Sequence, residues 1–287
     1  MKLKVYPVFI KLLFWLLIML PVLAGLGYAL SYSLGLTGLL SKGITFEYWQ
    51  KALTSQSLWA SFLYSLSIGL VSVFISLCFA VSMALSWNKS IQQGRLSYFI
   101  FLPLCFPATV MAFVVLQWLS PSGWFSRIAF ELGFIHSLND FPNVVRDFYG
   151  IGIIFCSVLL ITPFFTILMS NIYRNENLLH LENLSKTLGA STSETLRRVT
   201  LPILFQKSKM TLLLFVIFVM GSYEVPLILG RQYPQMVSVA IVQKIQKFNL
   251  NDIPLGFAMS VLYVILVVLV LIVFGKPSRK YLKPHFK

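Results

Sequence analysis

The sequence predicts an all-α, polytopic membrane protein with about six transmembrane helices. Of its 287 residues, 57% are hydrophobic and only 11% are charged, whereas a soluble globular domain carries about 25% charged residues. Several windows also exceed the roughly 18 apolar residues that a helix needs to cross about 30 Å of hydrocarbon. Together these observations exclude a soluble fold.

Residues 1–57 are predicted to form a cytoplasmic segment, the first transmembrane helix and an outer loop. Three lysines lie among the first eleven residues, and residues 12–34 are apolar. A cleavable signal peptide has the same order of segments, but the length of this apolar window favours an uncleaved span. Residues 41–57 mix charged side chains with Trp49, which is typical of a membrane interface.

The second and third spans are predicted over residues 58–86 and 98–119. The second span is rich in serine and contains Gly69, and such small residues let neighbouring helices approach closely. In the third span, Pro103 and Pro107 free backbone carbonyls, which neighbouring groups or a water-filled path must satisfy. Two interpretations stay open for this segment: a packing kink, or a pore-lining stretch that includes Thr109.

The fourth, fifth and sixth spans are predicted over residues 150–170, 210–230 and 253–275. We expect a kink in the fourth span near Pro163. The long connections at 120–149 and 231–252 are predicted outer loops, and residues 276–287 a basic cytoplasmic tail. Within the first of these loops, residues 124–134 favour an interfacial helix. The transmembrane core is therefore expected at 58–275.

Basic residues are distributed unevenly over this layout. Sixteen of the 23 lysines and arginines fall on the proposed inner side, and seven fall on the outer side. Because basic loops stay in the cytoplasm, the consistent topology has six spans with both termini cytoplasmic. The net charge of +14 then reflects contact with anionic membrane lipid, so that nucleic acid is not required as a partner.

A polar and basic stretch, residues 181–204, interrupts the apolar runs. Three leucines recur there at helical spacing: Leu181, Leu184 and Leu188. They predict a helix with an apolar stripe on the side opposite Glu182, Ser185 and Lys186. Gly189 follows the stripe and should end this helix, because glycine adopts positive φ without a Cβ clash.

A second helix is predicted to begin directly after this glycine. Ser191 and Glu194 stand at capping-box spacing, in which each residue satisfies a backbone N–H of the other. Arg197 and Arg198 are expected near lipid phosphates. Pro202 should cut or kink the helix ahead of the fifth span.

This stretch resembles the cytoplasmic EAA loop of inner-membrane permeases of ATP-binding-cassette (ABC) importers. In that family a Glu-Ala-Ala triplet is followed by three residues, a glycine, nine residues and Ile-x-Leu-Pro. Gly189, nine residues and then Val-Thr-Leu-Pro at 199–202 match the second part of the pattern. The triplet departs from it, because residues 183–185 read Asn-Leu-Ser and the nearest acid, Glu182, is shifted by one.

The resemblance implies a type I importer permease with the MetI-like bundle, and it implies a coupling loop at about 171–209. A coupling helix of this loop would sit in a cleft of a separate ATPase subunit. The residues implied for ATPase coupling are Leu184, Lys186, Gly189, Ala190 and Pro202. Further implied partners are a second permease, homologous or identical, and a periplasmic solute-binding protein. ATP and Mg would be bound by the ATPase at the bacterial inner membrane, with no cofactor in this chain.

Residues 221–230 resemble the corresponding segment of the spermidine/putrescine, thiamine and ferric-iron branch of these permeases. Glu224 is the one ionisable residue predicted at depth, which makes it a functional candidate. In one interpretation, Tyr223 and Glu224 line the translocation path or its gate; in the other, Glu224 lies at the outer interface and pairs with Arg231. A carboxylate in the path would suit a cationic solute such as a polyamine or thiamine.

The sequence carries no pattern of catalytic or metal-binding residues. It contains neither Gly-x4-Gly-Lys-Ser/Thr nor His-Glu-x-x-His, and its three cysteines lie in apolar runs without disulfide or zinc spacing. We therefore predict a transport subunit that is not an enzyme and that draws its energy from a partner. The alternative is an ion-gradient-driven secondary transporter, although no internal repeat is evident. A membrane-embedded enzyme would need converging His, Asp or Cys groups within the spans.

Overall fold

A computed structural model describes residues 5–38, 41, 43–86, 96–137, 140–246 and 249–275. The predicted basic tail, residues 276–287, lies outside these ranges. The helices in chain order are α1 (Val5–Ser33), α2 (Glu47–Thr54), α3 (Gln56–Ser86), α4 (Leu96–Phe101), α5 (Ala108–Leu119), α6 (Trp124–Glu131), α7 (Ile151–Asn175), α8 (Leu178–Thr187), α9 (Thr192–Thr195), α10 (Leu201–Gly221), α11 (Glu224–Leu229), α12 (Val237–Gln246) and α13 (Asp252–Phe274).

Six helical stretches of the described chain are long and apolar enough to cross a membrane. They are Ile10–Ser33, Gln56–Ser86, Ala108–Glu131, Ile151–Asn175, Thr192–Gly221 and Asp252–Phe274. The predicted all-helical architecture with six spans is therefore confirmed. A helix, α6, is present at Trp124–Glu131, within the predicted 124–134; its interfacial location stays a prediction.

The chain forms two compact units, of which the first comprises residues 1–59 and 240–287. The rings of Tyr28 and Tyr32 pack on Phe257 of α13, with centroids 5.7 and 4.7 Å away. The indole Nε1 of Trp49 donates to the buried Ser33 Oγ at 3.1 Å. The predicted loop at 41–57 thus contains a helix, α2, whose tryptophan fastens it to the end of α1.

The second unit comprises residues 60–239 and is built around α7. Phe165 of α7 is fully buried, and its ring lies 4.9 Å from that of Phe215 on α10. A Cβ atom at Gly69 would lie 3.0 Å from the carbonyl oxygen of Val216, so that α3 and α10 approach each other through the missing side chain. This is the close packing that small residues were predicted to allow in the second span.

The third span is not the single helix that was expected over 98–119. A 3₁₀ turn, Leu102–Cys105, follows α4, and Pro107 is in an extended conformation ahead of α5. The amide of Phe106 donates to the carbonyl of Pro103 at 3.3 Å. Because proline has no N–H to continue a helical ladder, two prolines four residues apart break this span, whereas α7 continues through Pro163.

The fifth span also differs from the prediction. It begins nine residues early, at Leu201, and α10 ends at Gly221 rather than near Gly230. Contrary to the prediction, Pro202 does not cut the helix: the helical stretch Thr192–Gly221 runs through it, with a π-helical turn at Leu196–Thr200 directly before α10. The chain becomes extended at Ser222 and then forms the separate short helix α11.

Candidate functional site: the coupling stretch

The coupling stretch, residues 181–204, turns a corner at Gly189, as the sequence predicted. Gly189 has φ +88°, a conformation that favours glycine. Its amide donates to the carbonyl of Lys186, and the amide of Ala190 donates to that of Ser185, both at 3.0 Å. These two bonds form a Schellman motif, which satisfies the last carbonyls of α8.

The predicted capping box closes the other side of the corner. The amide of Glu194 donates to Ser191 Oγ at 3.3 Å, and the amide of Ser191 donates to Glu194 Oε2 at 3.0 Å. Helix α9 begins at the next residue, Thr192. Both sides of the corner are therefore held by hydrogen bonds.

The leucine stripe of α8 faces away from the rest of the chain. Leu181, Leu184 and Leu188 are 36%, 46% and 88% exposed. Leu178, which lies on another side of the helix, is fully buried. A surface helix ordinarily buries its apolar side, whereas most of the apolar stripe of α8 is exposed.

The polar side of α8 packs against the protein's own chain. Glu182 accepts hydrogen bonds from the hydroxyls of Tyr173 and Thr200, at 2.9 and 2.8 Å. Ser185 Oγ and Thr195 Oγ1 lie 2.8 Å apart. The carboxylate and the hydroxyls are thereby satisfied internally, which explains why this side, and not the leucine stripe, faces inward.

The residues predicted for ATPase coupling all lie at or near the surface of this stretch. Leu184, Lys186, Gly189 and Pro202 are exposed, and Ala190 is half-buried. Leu184 and Lys186 are two positions apart, so they project to nearly opposite sides of α8. The predicted set of ATPase-coupling residues did not include Leu181 and Leu188, which lie on the same side of α8 as Leu184. The i, i+3, i+7 spacing of the three leucines already indicated that they share one side.

The three residues predicted to line a translocation path lie on α5 and just before and within α11, two elements that pack against each other. Thr109 is in the first turn of α5 and is half-buried. Tyr223 is half-buried, and Glu224 is exposed as the first residue of α11. Glu224 and Arg231 form no ion pair in the described chain, since the Arg231 guanidinium lies over the ring of Phe148, 5.3 Å from its centroid.

An open cleft of about 770 Å³ lies at the end of α7 that is distant from the coupling stretch. Arg146 and Arg231 line it, together with the aromatic side chains of Phe148, Tyr149 and Tyr233. Asp147 also lines the cleft, but its two oxygens accept the amides of Tyr149 and Ile151, both at 2.9 Å, at the start of α7. The carboxylate thus serves as a helix cap.

Within the described ranges, no cluster of three or more His, Cys, Asp and Glu side chains could hold a metal ion.

The backbone amides of His136 and Ser137 donate to Asp140 Oδ2 at 3.1 and 2.8 Å, which holds the pKa of this carboxyl below its usual value. Cys78, Cys105 and Cys156 are free thiols.

These features define a class. The chain is a multi-pass helical membrane protein that exposes an apolar helix face on a polar loop. The chain belongs to the family described as binding-protein-dependent transport system inner membrane component, whose model matches residues 76–284. It is therefore a permease subunit of an ABC importer and not an enzyme, as the sequence predicted.

Individual relatives agree with this assignment. The trehalose/maltose transport system permease protein MalF of Thermococcus litoralis is 26% identical over 239 residues, which are 80% of this chain and 77% of that protein. The crystal structure of a bacterial alginate ABC transporter in complex with an alginate pentasaccharide-bound periplasmic protein matches with a TM-score of 0.69 and 16% identity, over 96% of this chain and 93% of that chain.

A second crystal structure is of a bacterial ABC transporter involved in the import of the acidic polysaccharide alginate. It matches with a TM-score of 0.69 and 15% identity, over 97% of this chain and 96% of that chain. At such identities the two structures establish similarity of fold alone. These relatives are named for trehalose, maltose and alginate, and they give no support to the spermidine, thiamine and ferric-iron branch that residues 221–230 resemble.

Proposed function

We propose that this permease forms half of the translocation path of an ATP-driven importer and that α8 is the helix through which a separate ATPase drives it. The single observation that carries this proposal is the orientation of α8. Its leucine side is exposed at Leu184 and Leu188, while its polar side is bonded to the protein's own chain. An exposed apolar face on an otherwise polar loop marks an interaction site.

The remaining parts of the assembly follow from the family. A second permease, homologous or identical, would complete the path, and a periplasmic solute-binding protein would deliver the solute. ATP and Mg would be held by the ATPase subunits. ATP binding would draw the two coupling helices together and turn the cavity outward, and hydrolysis would reset it. The excess of basic residues on the side of the coupling stretch supports a cytoplasmic location for both termini.

The solute that we propose first is a carbohydrate. The names of the relatives support this class, since one is a trehalose/maltose permease and two are alginate transporters. A cationic solute is the second candidate, and the observation that favours it is Glu224, which is exposed and has no ion-pair partner in the described chain.

Uptake by the reconstituted importer separates the two solute classes. Labelled maltose and labelled putrescine would be offered to proteoliposomes that contain either wild-type chain or Glu224→Gln. A carbohydrate importer takes up maltose, and removing the charge of Glu224 changes that uptake little. A cation importer takes up putrescine and loses this uptake in the variant. Normal uptake and normal transport-stimulated ATP hydrolysis in Glu224→Gln would remove this residue from the path.

The power source is tested by co-expression with a candidate ABC ATPase subunit from the same organism. We expect the two chains to co-purify and uptake to require ATP. If uptake persists without any ATPase and follows an imposed ion gradient, the chain is a secondary transporter and the proposal is wrong.

A further inference from the structure

Glu182 is the acid that stands one position away from the family's triplet, and its carboxylate faces the protein's own chain. Its Oε2 accepts the hydroxyl of Tyr173 at 2.9 Å, and its Oε1 accepts the hydroxyl of Thr200 at 2.8 Å. Tyr173 lies in the last turn of α7, and Thr200 ends the helical turn that leads into α10. One side chain of α8 therefore joins the ends of two spans.

A second contact lies beside the first, between Ser185 Oγ and Thr195 Oγ1 at 2.8 Å. Thr195 is only 4% exposed, and Thr200 is fully buried. Hydrogen bonds from a hydroxyl to a carboxylate are charge-assisted and about twice as strong as those between neutral groups. Breaking them would leave a buried hydroxyl without a partner, which makes the loss larger than the net strength of the bond.

The backbone has an unusual form where these threonines lie. Residues Leu196–Thr200 form a π-helical turn, and the amide of Leu201 donates to the carbonyl of Leu196, five residues back. In an α-helix, residues five apart point about 140° away from each other. A π turn, with its hydrogen bond between residues i and i+5, takes more residues per turn and so reduces this angle. This wide turn allows Thr195 and Thr200 to face α8 together.

We infer that Glu182 is a positioning residue. Its hydrogen bonds join α8 to the ends of α7 and α10 in one rigid unit, so that a displacement of α8 moves both ends together. The corner at Gly189 is already closed by backbone hydrogen bonds and by the capping box. With Glu182 in place, α8 is also bonded to Tyr173 in the last turn of α7 and to Thr200 just before α10. The inference rests on the proposed function, because the ATPase supplies the displacement.

If Glu182 has this role, its loss should lower the amount of solute moved for each ATP hydrolysed. Without its bonds, α8 could still lie against the ATPase through its exposed leucines, but it would shift without carrying both spans with it. ATP hydrolysis would then continue while less solute is moved for each ATP. A residue that only supports folding would instead lower the amount of assembled complex and leave this ratio unchanged.

The test uses the complete importer in proteoliposomes and measures solute imported per ATP hydrolysed. Glu182→Gln keeps the size of the side chain but removes its charge and one acceptor oxygen. We expect the ATPase to remain bound and hydrolysis to continue, while the ratio falls on the order of tenfold, as for the loss of about 1.4 kcal/mol of charge-assisted bonding. Thr200→Val and Tyr173→Phe each remove one donor and should lower the ratio less.

Thr187→Val is the matched control. The Thr187 hydroxyl is on the same helix and donates at 2.7 Å to the carbonyl of Leu184, within that helix. This variant should keep the wild-type ratio. The double variant of Glu182→Gln and Thr200→Val should lower the ratio by less than the product of the two single effects, because both changes act on the bond between these two side chains.

Three results would overturn the inference. The first is a wild-type ratio in Glu182→Gln with the ATPase still bound, which leaves the proposed function intact. The second is loss of the assembled complex in Glu182→Gln, Thr200→Val and Tyr173→Phe alike with a normal ratio in what remains, which indicates a role in folding. The third is a wild-type chain that binds no ATPase, which overturns the proposed function and, with it, the positioning role of Glu182.

Discussion

Replacing Leu188 with alanine should weaken binding of the ATPase without weakening the fold. Leu188 is 88% exposed, so its truncation removes little packing within the chain, and a surface change of this kind alters the free energy of unfolding by about 0.5 kcal/mol or less. If the side chain is buried against the ATPase, burial is worth about 2 kcal/mol. That corresponds to a dissociation constant about 30-fold higher.

Leu179→Ala is the matched control for this change. Leu179 is the second residue of α8 and is 60% exposed. Leu188 directly follows the last residue of α8 and is nine positions from Leu179, which places the two side chains on opposite sides of the helix. Both variants remove the same atoms from an exposed leucine. Only the side of the helix differs, so a difference in binding reports which side meets the partner.

Binding would be measured by biolayer interferometry, with the permease immobilised in nanodiscs and the ATPase in solution. The thermal midpoint of each variant, measured in the same preparation, should stay close to the wild-type value. A dissociation constant of Leu188→Ala within about threefold of the wild-type value would refute the assignment of this side. An equal loss of binding in Leu179→Ala would refute it as well.

Three further predictions concern local structure. Gly189→Ala should destabilise the corner by about 1 kcal/mol, because φ is +88° while the space around the Cβ position is open; an unchanged hydrogen-exchange rate at this corner would contradict it. Gly69→Val should lower the thermal midpoint, because even a Cβ atom at this position would lie 3.0 Å from the Val216 carbonyl oxygen. Gly25→Val is the control and should leave the midpoint unchanged, because no atom lies within 4 Å of that Cβ position. The pKa of Asp140 is lowered in the folded protein by its hydrogen bonds to two backbone amides. These bonds therefore stabilise the loop above the pKa of the carboxyl group in the unfolded chain, and they are lost as the pH falls through its pKa in the folded protein. Asp140→Asn should lack this pH dependence in the hydrogen exchange of those amides.

Features set by short stretches of sequence were predictable. The six spans follow from apolar windows, which are decided by length and composition. The corner at Gly189 and the capping box of Ser191 and Glu194 also depend on local chemistry alone, and both occur where they were expected. The close approach at Gly69 was predictable because only small residues permit it.

Features set by contacts between distant residues were not predictable from the sequence. The inward orientation of Glu182 depends on hydroxyls 9 residues before it and 18 residues after it. The π turn that presents Thr200 has no signature in the order of its residues. Helix α2 was also missed, because its tryptophan indicated an interface and gave no sign of its bond to Ser33.

The most direct test of the account is a site-specific cross-link from α8 in cells. A photoreactive amino acid at Leu184 is suitable because the exposed free cysteines Cys78 and Cys105 would complicate thiol chemistry. We predict a covalent adduct between this position and the ATPase subunit, and a much weaker adduct from the same probe at Leu179. If position 184 forms no adduct with an ATPase while the cells still import the solute, the claim that this helix receives the driving force is contradicted.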